Sequence, residues 1–209
     1  VLGWEMATVG LELAERWDRP YVVSVEDFPD PTSRLRVSRR WFRGLVVPCA
    51  DLADELTGAF GVPASWIDVV PPGLVCGDPE RSAGPGAGPR IPVVGTVVAG
   101  DRVEGLATFF HAARIILDAA QDIEFVVAST GGDESSLRRL ADWLHLKEHV
   151  TFDDGQIEGE AIWRALDVYC QSSVAPATGR GLGQALAHAV PAVASDVPGL
   201  RTWILPGMT

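Results

Sequence analysis

The residues best suited to chemistry lie between Ser172 and Asp196, where a glycine-rich stretch leads into an Ala/Leu-rich one. Its glycines stand at alternate positions: Gly179, Gly181 and Gly183. We expect these glycines to form a loop, Gln184–Ala189 to form a helix and Val190–Ala194 to form a short strand. That order places a helix N-terminus at the carboxyl edge of a parallel sheet, where backbone N–H groups point at a bound anion. The stretch therefore predicts a phosphate-type site, although the same glycines could simply permit a tight loop.

Apolar strand-like runs alternate with helical patterns along most of the chain. Strands are expected at Tyr21–Val25, Leu45–Pro48, Ile67–Val70, Pro92–Val98, Glu124–Ala128, His149–Phe152 and Val168–Gln171. Helices are expected at Trp4–Trp17, Leu52–Phe60, Leu106–Ala119, Ser135–Leu144 and Gly159–Leu166. In the first of them, the apolar residues Val9, Leu13 and Trp17 recur at helical spacing. This alternation predicts right-handed βαβ units and parallel sheets, with any ligand at the carboxyl ends of the strands.

A Gly/Pro-rich stretch interrupts this rhythm once, because residues 78–89 read DPERSAGPGAGP and cannot pack a core. The sequence therefore predicts a partial Rossmann-like segment over 1–77, a linker over 78–90 and a complete Rossmann-like domain over 91–209. The first segment offers only three strands and would bury too little apolar surface alone. We expect it to belong to a longer protein, or to a chain that lacks half of its first domain.

Composition excludes several classes of protein. A net charge of −11 argues against a nucleic-acid partner, whose phosphates need a basic surface. Apolar runs fall short of the roughly 20 residues of a membrane helix. The cysteines Cys49, Cys76 and Cys170 lie far apart, which predicts free buried thiols in a reducing, cytoplasmic compartment and no metal site. One lysine against sixteen arginines suggests a bacterial, GC-rich source.

Asp167–Asp196 aligns without a gap with a long motif of a known family, and it resembles that motif. The family is that of the retaining GT-B glycosyltransferases of the glycosyltransferase-4 type. Its donor-sugar motif runs roughly D-V-F-V-L-P-S-x-x-E-G-F-G-x-x-x-x-E-A-M-A-x-G-V-P-V-V-A-T-D. The chain resembles this family over about residues 20–209. Leu45–Ala50 (LVVPCA) stands at the family's strand and serine turn, with Cys49 near the serine. Ile67–Gly73 (IDVVPPG) stands at its strand and P-N-G, with Pro72 in place of asparagine.

The resemblance implies an α/β protein of GT-B-like architecture, built from Rossmann-type parallel sheets, with a complete second domain and a partial first one. It implies transfer of a sugar from a nucleoside diphosphate sugar to a glycan or lipid acceptor, with no metal cofactor. In this family an arginine, a lysine and a helix N-terminus stabilise the leaving diphosphate, which is electrostatic catalysis. Two glutamates of the motif contact the donor sugar and the ribose.

All four charged positions differ in this chain. The glycine that precedes the family's arginine matches Gly95, which Thr96 follows, and Glu104 stands at the lysine position. Pro176 and Gln184 replace the two glutamates, and of these only Gln184 can still hydrogen-bond through its side chain. Arg102 and Arg180 are the candidates for replacement charges. The candidate donor-binding residues are therefore Gly95, Thr96, Arg102, Glu104, Gly179, Arg180, Gly181 and Gln184, and no catalytic residue is assigned.

Two functions stay open at this point: an active hexosyltransferase, or a catalytically silent glycosyltransferase-like protein that binds a partner or a glycan. An oxidoreductase fits less well, because GRGLGQ follows the fourth strand of its domain and Asp196 comes too early for a ribose-binding acid. Arg34–Arg43 (RLRVSRRWFR) is expected to be a basic helix, either an ordinary surface helix or a contact with anionic lipid. A homo-oligomer is a further open expectation.

Overall fold

The computed structural model describes residues 3–76, 90–99, 104–119, 122–130, 134–153 and 160–204. Residues 78–89 of the linker predicted at 78–90 and the candidate residue Arg102 lie outside these ranges. The chain forms two compact units. The first unit comprises Val1–Gly73, Ala175–Gly179 and Asp196–Thr209, and the second comprises Leu74–Val174 and Arg180–Ser195.

The first unit contains a three-stranded parallel sheet in the order β1-β2-β3. Its strands and helices are α1 (Ala7–Trp17), β1 (Tyr21–Ser24), β2 (Phe42–Val47), α2 (Ala50–Gly58) and β3 (Ile67–Val69). Leu52 and Leu56 lie one turn apart on α2, and both are fully buried. They pack with Val23, Leu45 and Val47 of the sheet in one hydrophobic core.

Helix α1 buries a different face from the one that its large apolar residues suggest. Val9, Leu13 and Trp17 are 42%, 36% and 64% exposed. The buried residues of α1 are small: Ala7, Gly10 and Ala14. A face of small residues lets a helix backbone approach its neighbours closely, so periodicity located the helix but selected the wrong stripe.

The segment predicted as a basic helix is not helical. Residues 33–38 have no regular secondary structure, a turn covers 39–41 and β2 begins at Phe42. Two hydrogen bonds fix this course: the Ser38 backbone N–H donates to the Tyr21 hydroxyl at 3.0 Å, and the Trp41 N–H donates to Ser38 Oγ at 3.3 Å. Because Leu35 packs against the core, the arginines on either side of it point outwards.

The second unit contains a five-stranded parallel sheet in the order β6-β5-β4-β7-β8. Its strands are β4 (Val93–Ala99), β5 (Glu124–Thr130), β6 (Val150–Asp153), β7 (Val168–Gln171) and β8 (Ala192–Ala194). Its helices are α3 (Glu104–Asp118), α4 (Glu134–Trp143), α5 (Ala161–Ala165) and α6 (Arg180–Ala187). Two separate parallel sheets with interleaved helices confirm the predicted α/β fold class.

Helix α6 starts earlier than expected. It begins at Arg180, so Gly181 and Gly183 belong to the helix, and Gly179 is the last loop residue before it. Gly179 has a φ of +71° and therefore needs the left-handed freedom of glycine, as a loop glycine does. In the part of the chain that the structure describes, no helix is long and apolar enough to span a membrane.

Candidate functional site

The chain changes direction in the second sheet between β4 and β7. From β4 it continues to β5 and then β6 on one side, and it returns to β7 and then β8 on the other side. β4 pairs with β5 from Val93 to Ala99, but it pairs with β7 only at Val94 and Gly95. The carboxyl half of β4 therefore separates from β7. In open parallel sheets such a switch point is where a crevice for ligands forms.

The start of α3 is fixed to the end of β7 at this crevice. Ser172 Oγ donates a 2.7 Å hydrogen bond to the backbone carbonyl of Gly105. A Cβ at position 105 would lie 2.4 Å from the Ser172 carbonyl oxygen, so only glycine permits this approach. The first turn of α3 is thereby held against the loop that follows β7.

The start of α6 is fixed to the same strand on its other side. A Cβ at position 181 would lie 2.5 Å from the hydroxyl of Tyr169, which belongs to β7. Arg180 is exposed on this first turn, and Gln184 lies four residues later on the same helical face. The first backbone N–H groups of a helix lack intrahelical partners. Arg180 and Gln184 thus flank a helix N-terminus at the switch point.

Three polar side chains are linked by hydrogen bonds along β7 and just beyond its end. The Tyr169 hydroxyl donates to Gln171 Oε1 at 3.3 Å, and Gln171 Nε2 donates to Ser173 Oγ at 3.4 Å. Burial raises the pKa of Tyr169, so its hydroxyl stays protonated and can donate. These residues were not among the sequence candidates. The signal was present, because the donor motif has Phe and Leu where this chain has Tyr169 and Gln171.

The sheet interior contains two of the sequence candidates. Gly95 and Thr96 are the third and fourth residues of β4, and Thr96 is only 5% exposed. A Cβ at position 95 would lie 2.3 Å from the side chain of Leu166, which gives Gly95 a packing role. Thr96 precedes the end of the strand at Ala99 by three residues. The structure therefore does not place Gly95 and Thr96 at the strand end, and their donor role stays a prediction.

The remaining candidates fall in different places. Glu104 is the first residue of α3. Gly179 lies in the first unit, where a Cβ would meet the Trp203 ring at 2.6 Å, and Trp203 Nε1 donates to the Thr178 carbonyl at 2.9 Å. Pro176 is exposed in the same segment. Gly179 thus has packing and conformational reasons to be glycine, independent of any ligand.

Side chains that could bind a metal do not cluster in the described ranges. No group of three or more His, Cys, Asp or Glu side chains that could hold a metal ion occurs there. Of the cysteines predicted to be buried only Cys49 is, since Cys170 is half-buried and Cys76 is exposed. His188 is 4% exposed, its Nδ1 lies 2.8 Å from the Gln184 carbonyl, and its ring stacks on Trp163 at 6.0 Å. These contacts close the last turn of α6, which indicates a structural role.

A doubly wound parallel sheet with two helix N-termini at its switch point defines a Rossmann-type domain. Residues 88–209, more than half of the chain, match the family described as glycosyl transferases group 1. The chain belongs to this family, and its fold is that of the GT-B glycosyltransferases.

Relatives with known names agree with this assignment. The chain is similar to a D-inositol 3-phosphate glycosyltransferase of Paenarthrobacter aurescens, at 28% identity over 99% of this chain and 57% of that protein. It is similar in fold to Anabaena Alr3699/HepE in complex with UDP, with a TM-score of 0.70, 17% identity, and coverage of 98% of this chain and 61% of that one. The pneumococcal O-GlcNAc transferase GtfA, solved with UDP and GlcNAc, gives a TM-score of 0.68, 17% identity, and coverage of 96% and 42%. The chain therefore spans about half the length of the relatives that it matches.

Proposed function

We propose that this chain takes part in glycosyl transfer, moving a sugar from a nucleoside diphosphate sugar to a glycan or lipid acceptor. The observation that carries the proposal is the convergence of the first turns of α3 and α6 on the end of β7. Ser172 holds one turn and Tyr169 contacts the other. The curated relative is named as a glycosyltransferase, and two structural neighbours were solved with UDP, which supports a nucleotide-sugar ligand.

The chemistry of such a site is electrostatic. A leaving diphosphate gains negative charge, and the first N–H groups of α6 together with the exposed Arg180 guanidinium would stabilise it. Gln184, one turn further along, would hydrogen-bond the ribose hydroxyls. We propose that these groups act without a resident metal ion, since a helix N-terminus and a guanidinium supply the positive potential.

Weak donor binding is part of the proposal. The positions that carry charge in the donor motif hold Thr96, Glu104, Pro176 and Gln184. Each lost charged hydrogen bond costs about 1.5–3 kcal/mol, and every 1.4 kcal/mol is about tenfold in affinity. We therefore expect a dissociation constant above about 100 μM for a nucleotide sugar.

Calorimetric titration with UDP, GDP and their sugars tests the proposal. Wild-type protein should bind at least one of them, and Arg180→Gln should weaken that binding several-fold. The exposed Arg139 of α4 provides a matched control, since Arg139→Gln removes the same charge from another helix. Absence of binding at millimolar concentrations would overturn the proposal. Binding without turnover of any glycan or lipid acceptor would favour the catalytically silent alternative.

We further propose that the first unit, which would bind the acceptor, contacts a membrane with anionic lipid from the cytoplasm. The support is a group of exposed arginines: Arg34, Arg36, Arg39, Arg40 and Arg43. Of these, Arg40 pairs with Asp18 at 3.3 Å, and both side chains are highly exposed. Near an anionic surface each arginine contributes about 1 kcal/mol. Co-sedimentation should show more protein with phosphatidylserine vesicles than with phosphatidylcholine vesicles.

Light scattering of the protein alone tests the expected homo-oligomer.

A further inference from the structure

We infer that Gln171 is a specificity-determining residue of the proposed site, and that its carboxamide recognises a neutral hydroxyl pair of the ligand, such as two neighbouring hydroxyls of a sugar ring. The inference rests on the proposed function, and it names the part of the ligand that this chain's own residues are equipped to recognise.

The pleat of β7 sets the direction of each group. Side chains alternate along a strand, so Tyr169 and Gln171 share one side of β7 and Cys170 lies on the other. Just beyond the strand, Ser173 accepts from Gln171 Nε2 and therefore lies near the side of Tyr169. The side of Tyr169 is the side of α6, because Gly181 packs on its hydroxyl. The other side is that of α3, since Ser172 bonds to Gly105 and Cys170 packs against the core that α3 lines.

Tyr169 therefore connects Gln171 with the first turn of α6. Its Oε1 is 3.3 Å from the Tyr169 hydroxyl, and that hydroxyl is the atom that Gly181 contacts. The carboxamide is half-buried at the last position of β7, where β4 no longer pairs with the strand. This position lies at the switch point, where open parallel sheets form a ligand crevice.

The valence of the carboxamide determines what it can bind. A glutamine side chain offers two N–H donors and two acceptor lone pairs. Tyr169 occupies one lone pair and Ser173 receives one N–H, which leaves one donor and one acceptor for a ligand. Tyr169 contacts Oε1 and Ser173 contacts Nε2, so both ends of the amide are held in place. One donor beside one acceptor on a fixed plane matches two adjacent hydroxyl groups.

The departures from the donor motif point the same way. Where the motif has Phe and Leu, this chain has Tyr169 and Gln171, which bond to each other. Where the motif has a glutamate near the donor sugar, the chain has Pro176, whose side chain cannot accept a hydrogen bond. A neutral polar pair has been added to the strand end, while the carboxylate of the loop has been replaced.

Saturation-transfer NMR and ligand-observed titration with UDP-glucose and with UDP test this inference, because both work at millimolar affinity. In Gln171→Leu we expect UDP-glucose to bind at least about tenfold more weakly, while UDP changes by less than about twofold. The saturation received by the hexose protons should fall relative to that of the uracil protons. Tyr169→Phe, which releases the amide, should give an intermediate loss. Cys170→Val, on the opposite side of the same strand, should leave both ligands unchanged.

The outcomes separate the two ideas. If wild-type protein binds none of UDP, GDP and their sugars, the proposed function fails and the inference fails with it. If it binds only the guanosine forms, GDP and GDP-glucose replace UDP and UDP-glucose in the same comparison. If wild-type protein binds both but Gln171→Leu changes neither, or weakens both equally, only the inference is overturned. Circular dichroism confirms that each variant is folded, and Gln171→Ser replaces Gln171→Leu if the latter unfolds.

Discussion

The hydroxyl of Tyr169 occupies the space that a side chain at Gly181 would need, 2.5 Å from the position of its Cβ. Tyr169 cannot easily yield, because it is 1% exposed and packs edge-on against Trp163 at 5.5 Å. One buried side chain therefore sets both the position of the first turn of α6 and the residue type within it.

Replacing Gly181 with alanine should destabilise the protein through this contact. Overpacking against the buried Tyr169 hydroxyl costs about 1–3 kcal/mol, partly offset by the roughly 1 kcal/mol gain in helix propensity. In a Tyr169→Phe background the same change should become neutral or stabilising, because the hydroxyl is gone. Urea denaturation of the four proteins in the cycle measures the coupling, which should exceed about 1 kcal/mol.

The matched control is Gly58→Ala at the exposed end of α2, where a Cβ would meet nothing within 4 Å. It should be neutral or slightly stabilising. A Gly181→Ala cost that persists undiminished in the Tyr169→Phe background would show that the hydroxyl is not the cause.

Alkaline pH should lower the free energy of unfolding, because a buried tyrosine hydroxyl and two cysteine thiols keep their protons longer in the folded protein than in the unfolded chain. Burial raises the pKa of Tyr169 above its ordinary value of 10.0 and the pKa values of Cys49 and Cys170 above 9.0. The unfolded chain therefore loses these protons first, so it binds fewer protons than the folded chain, and stability falls as the pH rises above about 9. Below that pH the contribution is fully present.

Denaturation midpoints from about pH 7 to about pH 11, measured with a reducing agent, follow this loss. Tyr169→Phe should flatten the part of the decline that begins near pH 10. A decline equally steep in wild type and Tyr169→Phe would mean that Tyr169 is not one of the groups responsible.

The element order was predictable because hydrophobic periodicity reports burial directly. Strand β7 was predicted at its observed bounds, Val168–Gln171, and the two parallel sheets followed from the alternation of strands with helices. The buried face of α1 was not predictable, because both stripes of that helix are apolar and only the packing selects the small one. The prediction of a helix at 34–43 was wrong, because the Ser38 backbone N–H bonds to the Tyr21 hydroxyl and not to a carbonyl one helical turn earlier.

The sequence placed a helix directly after β7 but set its start four residues late, at Gln184 instead of Arg180. The switch point was not predictable, because it depends on the order of the strands in the sheet. The motif did not show that Gly181 lies inside the helix, since propensity disfavours glycine there and only the contact with Tyr169 explains it. The sequence did not single out Gln171, because only the structure shows that its side chain bonds to Tyr169 on the same side of β7.

Replacing Ala189 with glycine, the residue that the donor motif has at this position, should stabilise the protein. Ala189 adopts a φ of +58° just after α6. The Val190 N–H donates to the Ala185 carbonyl at 2.9 Å, which closes the helix end in a Schellman-like turn. A left-handed conformation costs a non-glycine residue about 1–2 kcal/mol.

Ala189→Gly should therefore raise stability by about 0.5–1 kcal/mol after the greater entropy of glycine in the unfolded chain is subtracted. Ala187→Gly, inside α6, serves as the control and should lower stability by a similar amount. Thermal and urea denaturation measure both. A loss of stability in Ala189→Gly would contradict the strain.

Asp51 should be a main anchor of the turn that contains Gly199 in the first unit. Its Oδ2 accepts the Gly199 backbone N–H at 2.5 Å, from the first turn of α2. Gly199 has a φ of +86°, and a Cβ there would lie 2.2 Å from the Ala177 carbonyl oxygen, so the turn is tightly packed. Removing the carboxylate leaves a packed N–H without its charged acceptor.

Asp51→Ala should lower the free energy of unfolding by about 1.5–3 kcal/mol and speed hydrogen exchange at the Gly199 amide. Asp51→Asn keeps an oxygen acceptor but loses the charge near a helix N-terminus, so its cost should be smaller. Asp54→Ala, at an exposed position of the same helix, should stay within about 0.5 kcal/mol of wild type. If Asp51→Ala behaves like Asp54→Ala and the Gly199 amide remains equally protected, Asp51 does not anchor this turn, and the packing of Gly199 against Ala177 is sufficient to hold it.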